Sequence, residues 1–186
     1  MNNLQYTHLH PIEKAGALES RFRLLVQNPG KILKKYIRPG MTVLDLGCGT
    51  GYFTLEIAKL LDQKGKVIAS DVQNGMLEIL RLKLKNSDLH RQIQIHHNQE
   101  NNLNLTGKVD FIFAFYSFHE MKYIDDIING LVKISKSDTK ILISEQRFHV
   151  SKYTFNTIIQ KMTNSGFEIS ERPGIFFSRT VIMKPK

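Results

Sequence analysis

A short apolar run, Val43-Leu44-Asp45-Leu46, meets three glycines at alternate positions, Gly47, Gly49 and Gly51, and Tyr52-Phe53-Thr54 then opens a helical segment. Glycines so spaced leave bare backbone where a strand hands over to a helix, and a ligand can approach the main chain closely there. Backbone N–H groups and a helix N-terminus favour anions. Asp45, two residues ahead of Gly47, opposes that preference and biases the site towards a ligand carrying positive charge. A second acid, Asp71, lies twenty residues after Gly51, at the end of the apolar run Ile68-Ala69-Ser70. A carboxylate in that position accepts from both hydroxyls of a ribose; the alternative for Asp71 is an N-cap for the following helix.

S-adenosylmethionine meets these demands, having a sulfonium, an ammonium and an adenosine but no phosphate. Val43 to Thr54 resembles motif I of the class I S-adenosylmethionine-dependent methyltransferases, and Asp71-Val72-Gln73-Asn74-Gly75-Met76-Leu77 is similar to that family's D-x-x-x-x-M-L pattern. The resemblance implies S-adenosylmethionine as cofactor and S-adenosylhomocysteine as product. It implies cofactor contacts from Asp45, Gly47, Cys48, Gly49, Gly51, Asp71 and Phe115, with Val72 and Met76 flanking the adenine ring. Many relatives carry an Asp after the third strand that accepts from the adenine amino group. Gln99 falls in that place here, or Glu100 if the loop shifts by one, and either accepts through oxygen. Cys48 is expected to be a small filler without thiol chemistry.

The acceptor side is expected in Phe113-Ala114-Phe115-Tyr116-Ser117-Phe118-His119-Glu120-Met121, where relatives acting on small molecules often read like L-H-H-I. Phe115, Tyr116 and His119 should face the sulfonium methyl. His119 is the candidate proton acceptor, because an imidazole titrates near neutral pH; alternatively it packs beside the cofactor and only shapes the site. Glu120 is expected to begin the next helix. Glu145, followed by Gln146, Arg147 and His149, lines the same mouth either as a substrate contact or as a solvated loop acid. The catalytic candidates are therefore His119, Tyr116 and Glu145. A base is needed only for an acceptor that loses a proton. No metal site is expected: His96 and His97 are adjacent strand residues and point to opposite faces, and His8 and His10 have no identifiable partners.

Strand-like and helical runs alternate along the chain, which predicts a parallel sheet with helices on both faces. Strands are expected at Thr42 to Leu46, Lys66 to Asp71, Gln92 to His97, Val109 to Phe115 and Lys140 to Glu145. Helices are expected at Phe53 to Leu61, Gly75 to Lys85, Ile124 to Ile134 and Lys152 to Ser165. Phe167 to Arg172 and Phe176 to Met183, joined through Pro173-Gly174, are too close for a parallel crossover and must run antiparallel. The whole is a Rossmann-like, seven-stranded, mostly parallel sheet ending in an antiparallel hairpin, as the resemblance also implies. It is read as one domain over 1–186, with 1–30 as an N-terminal cap segment containing a helix at Glu19 to Gln27 and 31–186 as the core.

The 186 residues carry 41% hydrophobic and 23% charged side chains, ordinary globular composition. No apolar run reaches membrane-spanning length and no signal pattern opens the chain, so a cytoplasmic protein without membrane insertion is expected, as monomer or homodimer. The formal charge of +9 permits an anionic partner, although the basic residues are spread over solvated faces. Asn-Pro-Pro-Tyr and Asp-Pro-Pro-Tyr are absent after the fourth strand, as is a Pro-Cys nucleophile, and one cysteine is too few for arsenite methylation. A methyltransferase acting on a small-molecule acceptor is the preferred function. The alternatives are an RNA methyltransferase and a non-catalytic S-adenosylmethionine-binding protein. Asp45 and the G-x-G-x-G spacing argue against a nicotinamide-dependent oxidoreductase.

Overall fold

The computed structural model describes residues 28–186. The expected helix at Glu19 to Gln27, nearly all of the proposed cap segment, and His8 and His10 lie outside the described residues.

The chain alternates between strand and helix: α1 (Pro29–Leu33), β1 (Thr42–Leu46), α2 (Tyr52–Leu60), β2 (Lys66–Asp71), α3 (Asn74–Leu84), β3 (Ile93–His97), β4 (Val109–Phe115), α4 (Ile124–Ile134), β5 (Ser135–Gln146), α5 (Lys152–Asn164), β6 (Phe167–Glu171) and β7 (Ser178–Pro185). The seven strands form one sheet in the order β3-β2-β1-β4-β5-β7-β6. β1 to β5 are parallel, and β7 runs antiparallel to both β5 and β6. Strand order reverses beside β1. The connections leaving β1 and β4 therefore run to opposite faces of the sheet, at the switch point where open α/β sheets take their ligands.

Alternation along the strands divides the core. Val43, Phe111, Phe113 and Phe115 pack with Leu33, Ile57, Ala58, Leu77 and Leu80, covering one face with α1, α2 and α3. Leu44, Leu46, Ile112 and Ala114 pack with Ile124, Ile128, Leu131, Phe155 and Met162, covering the other with α4 and α5. Both faces of β1 and β4 are thus buried, the condition for near-continuous apolar parallel strands. Among the described residues no helix is long and apolar enough to cross a membrane.

β5 begins at Ser135, five residues ahead of the expected Lys140. Val109 pairs with Ser135 and Phe111 with Lys140, so the intervening residues bulge. Thr139 closes the bulge, its hydroxyl donating to the Val109 carbonyl at 2.6 Å and accepting the Lys136 N–H at 2.7 Å. The polar run Lys136-Ser137-Asp138 carries no period-two apolar signal, which hid this strand entry. β7 starts at Ser178 rather than Phe176, because Phe177 has left-handed backbone (φ 54°) that ends strand geometry. Glu120 does not begin a helix. It closes a 3-10 turn, Phe118–Glu120, and α4 starts only at Ile124.

Gly47 has φ 74°, and a Cβ there would collide with Ser117 Cβ at the end of β4. Gly47→Ala therefore combines a strained backbone with overpacking. It is expected to cost about 1–3 kcal/mol of stability, read as a lower midpoint in urea unfolding.

Candidate active site

The glycine turn folds back over the end of β2. The N–H groups of Gly47 and Cys48 both donate to the Ser70 carbonyl, at 2.8 and 3.1 Å, and Lys83 from α3 donates to the Thr50 carbonyl at 2.8 Å. Gly51 sits at the N-cap of α2 with φ 87°, a conformation that suits glycine. Cys48 is buried, and burial foremost, with the nearby Asp45 and Asp71 charges, pushes its thiol well above its ordinary range, as befits a filler.

Asp71 reaches from the end of β2 into this turn. One carboxylate oxygen accepts the Gly49 N–H at 2.8 Å and the other accepts the Gln73 N–H at 2.8 Å. Burial raises its pKa, and the N–H groups of Gln73, Gly49 and Val72 work against that rise. The residue is an anchor for the glycine turn with lone pairs left for a ligand. The N-cap of α3 is Gln73, without a side-chain cap bond.

Asp45 is fully enclosed and accepts from the Thr54 hydroxyl at 2.6 Å. Burial pushes its pKa up to about 7; the Thr54 bond lowers it and the Asp71 charge raises it. Between an ordinary carboxylate value and about 7, the folded chain holds a proton on Asp45 that the unfolded chain has lost, so stability falls as pH rises through this window. A cationic ligand reverses the preference, because it favours the carboxylate. Binding of S-adenosylmethionine is accordingly expected to release a proton below about pH 7 and to tighten from about pH 6 to about pH 8. Calorimetry in buffers of different ionisation enthalpy measures that proton directly.

Beyond β3, Asn98 is buried, accepts from the Ser70 hydroxyl at 2.9 Å and donates to the Gln99 carbonyl at 3.0 Å. Gln99 and Asn102 exchange backbone bonds across a tight turn, which leaves the side chains of Gln99 and Glu100 exposed at its rim. Val72 is half-buried beside Asp71, whereas Met76 is only 1% exposed and presents almost no surface to an adenine in this conformation. His96 and His97 bond to different carbonyls, those of Leu103 and Val72, on opposite faces of β3.

At the ends of β4 and β5 the acceptor-side residues come together. Phe115 is buried in an aromatic group with Phe53, Phe113 and Tyr116, its ring centroid 4.3 Å from that of Tyr116. Tyr116 has left-handed backbone (φ 64°), and its hydroxyl lies 2.6 Å from Ser178 Oγ at the start of β7. His119 Nδ1 is 2.7 Å from Glu145 Oε2, and the His119 N–H donates to Glu145 Oε1 at 3.3 Å. Glu145 is wholly buried, which overturns the solvated-acid alternative. A carboxylate only accepts, so Nδ1 carries the proton and Nε2 is the basic nitrogen of the neutral ring. Burial lowers the His119 pKa, but the Glu145 bond, the Glu145 charge and the Glu120 charge outweigh it and hold the imidazole above its ordinary 6.5. The His149 ring stacks edge-on at 4.9 Å.

S-adenosylmethionine fits these residues. The positive-φ turn through Gly47, Gly49 and Gly51, the carboxylates of Asp45 and Asp71, and the Ser117 hydroxyl, buried beside Gly47 without a hydrogen-bond partner, match a cationic amino acid joined to a nucleoside. Ser117 was readable as the neighbour of Tyr116, but its orientation towards Gly47 depends on the reversal at Tyr116. Thr54 and Ser178 had no signal, since each acts only through a partner brought up by the fold.

Comparison with known proteins agrees. The family described as a methyltransferase domain matches residues 43–138. The chain therefore belongs to that family, within the class I S-adenosylmethionine-dependent methyltransferases, and S-adenosylmethionine is the cofactor this class uses. A demethylmenaquinone methyltransferase from Lactobacillus johnsonii is 28% identical over 117 residues, 62% of this chain and 48% of that protein. The ubiquinone/menaquinone biosynthesis C-methyltransferase UbiE of Vibrio vulnificus is 31% identical over 111 residues, 58% of this chain and 42% of that one. The chain thus spans about half the length of the curated relatives it matches. A crystal structure of an S-adenosylmethionine-dependent methyltransferase from Aquifex aeolicus superposes with a TM-score of 0.86 at 24% identity, over 96% of this chain and all of that one, and shares its fold.

Proposed function

We propose that this protein transfers a methyl group from S-adenosylmethionine to a small-molecule acceptor, a hydroxyl or activated carbon that gives up a proton to His119. The observation that carries this reading is the His119–Glu145 pair, a base held by a buried carboxylate at the carboxyl ends of β4 and β5. The cofactor supplies a methyl on a sulfonium, already electrophilic, for in-line displacement, leaving S-adenosylhomocysteine. Asp71 and the glycine turn bind and orient the nucleoside, and the side chains of Asp45 and Ser117 meet its charged end. Glu145 fixes the tautomer and orientation of His119, which accepts the proton at Nε2. Tyr116, anchored by Ser178, and the enclosed Phe115 group narrow the mouth and exclude water.

The relatives' names, a demethylmenaquinone methyltransferase and a ubiquinone/menaquinone biosynthesis C-methyltransferase, support a small acceptor. An acceptor screen read by mass spectrometry, as gain of one methylene, tests the proposal. Methylation confined to phenols, enols and carbon acids is the expected result, and methylation of RNA alone overturns it.

A further inference from the structure

We propose that Phe148, Phe176 and Phe177 form a docking surface for an anionic lipid bilayer, beside the mouth of the site. Phe148 is 81% exposed, Phe176 58% and Phe177 44%. Single exposed apolar residues are ordinary, but three in contact mark an interaction surface. Phe148 and Phe177 lie 5.4 Å apart between centroids, Phe176 and Phe177 3.9 Å.

The rings stand on a built platform. The loop after β5 and the loop before β7 are joined by the Arg147 N–H donating to the Phe177 carbonyl at 2.9 Å and by Arg147 Nε donating to the Ser178 carbonyl at 3.0 Å. Arg179 donates to the Arg147 and Val150 carbonyls at 3.0 and 2.7 Å. Residues 146–153 and 172–179 contain Arg147, Lys152, Arg172 and Arg179 and no Asp or Glu. The guanidiniums of Arg147 and Arg179 rest on neutral carbonyls, and among the described residues neither is ion-paired with an acid. Outward phenylalanines beside the guanidiniums of Arg147 and Arg179 complement an acyl boundary beneath anionic headgroups.

Two other occupants fit less well. A second copy of this chain across a two-fold axis would place Arg147 and Arg179 against their own copies. Single-stranded RNA stacks its bases on flat aromatic faces, whereas these rings are tilted by 46° and 59° against one another and offer no common plane. The docking surface goes beyond the proposed reaction and does not depend on it. It would turn the mouth towards the bilayer.

Sedimentation of the full chain with vesicles tests it. Binding is expected to vesicles containing phosphatidylglycerol, to be far weaker with phosphatidylcholine alone, and to decline with added salt. The triple variant Phe148→Ser, Phe176→Ser, Phe177→Ser is expected to lose about tenfold or more in vesicle affinity while keeping its affinity for S-adenosylhomocysteine, which reports an intact fold. Should the triple variant not fold, Phe148→Ser alone, at the most exposed of the three, is expected to show a clear loss. The proposal is overturned by wild-type chain that ignores anionic vesicles at low salt, or by vesicle binding that the serine variants leave unchanged. It is equally overturned if the phenylalanines are needed for RNA binding or self-association and not for vesicles.

Discussion

Glu145→Gln is expected to lower kcat by about 10²- to 10⁴-fold and to leave the affinity for S-adenosylhomocysteine unchanged. The substitution is isosteric and keeps the packing of a fully buried side chain. Its effect is electrical and tautomeric. The native carboxylate only accepts, so it holds the proton of His119 on Nδ1 and leaves Nε2 basic. An amide can donate to Nδ1 instead, which moves the ring proton to Nε2 and removes the basic lone pair there. The pH profile separates this role from mere support. In the native chain kcat should rise as His119 loses its proton, with a midpoint above 6.5 because Glu145 and Glu120 hold the imidazolium. With glutamine that midpoint should fall. A variant that keeps native kcat on a hydroxyl or carbon acceptor would show that His119 is not the base.

The second large effect is expected at Asp71. Asp71→Ala removes the acceptor of two backbone N–H groups, those of Gly49 and Gln73, as well as the proposed ribose contact. Leaving such donors unpaired costs about 1–3 kcal/mol. Affinity for S-adenosylhomocysteine should fall by about ten- to a hundredfold, measured by calorimetry, with little change in kcat at saturating cofactor. Asp71→Asn keeps one accepting oxygen and should lie between the two. Unchanged affinity in the alanine variant would remove Asp71 from the cofactor site.

Much of this architecture is legible in local patterns. β1, β2 and β4 are buried on both faces and read as short apolar runs, and Gly47, Gly49 and Gly51 mark the turn where the backbone must take positive φ. The reversed last strand follows from the short connection between β6 and β7. Pairings across long separations leave no such trace. His119 and Glu145 each read as candidates singly, but their bond depends on the parallel register of β4 with β5. Tyr116 and Ser178 are joined only because β7 turns back beside β5. The entry into β5 through Ser135 was hidden for the opposite reason: a bulge needs polar residues where a strand pattern needs apolar ones.

The left-handed backbone at Tyr116 sends Ser117 back against Gly47. Residues 47 and 117 are consequently locked together, and neither tolerates added bulk unless the other yields. Any broadening of acceptor choice has to arise elsewhere, at exposed positions such as Arg147, Phe148, His149, Arg172, Phe176 and Phe177. Laboratory evolution towards larger acceptors should therefore accumulate changes in the final quarter of the chain while the nucleoside cradle stays untouched.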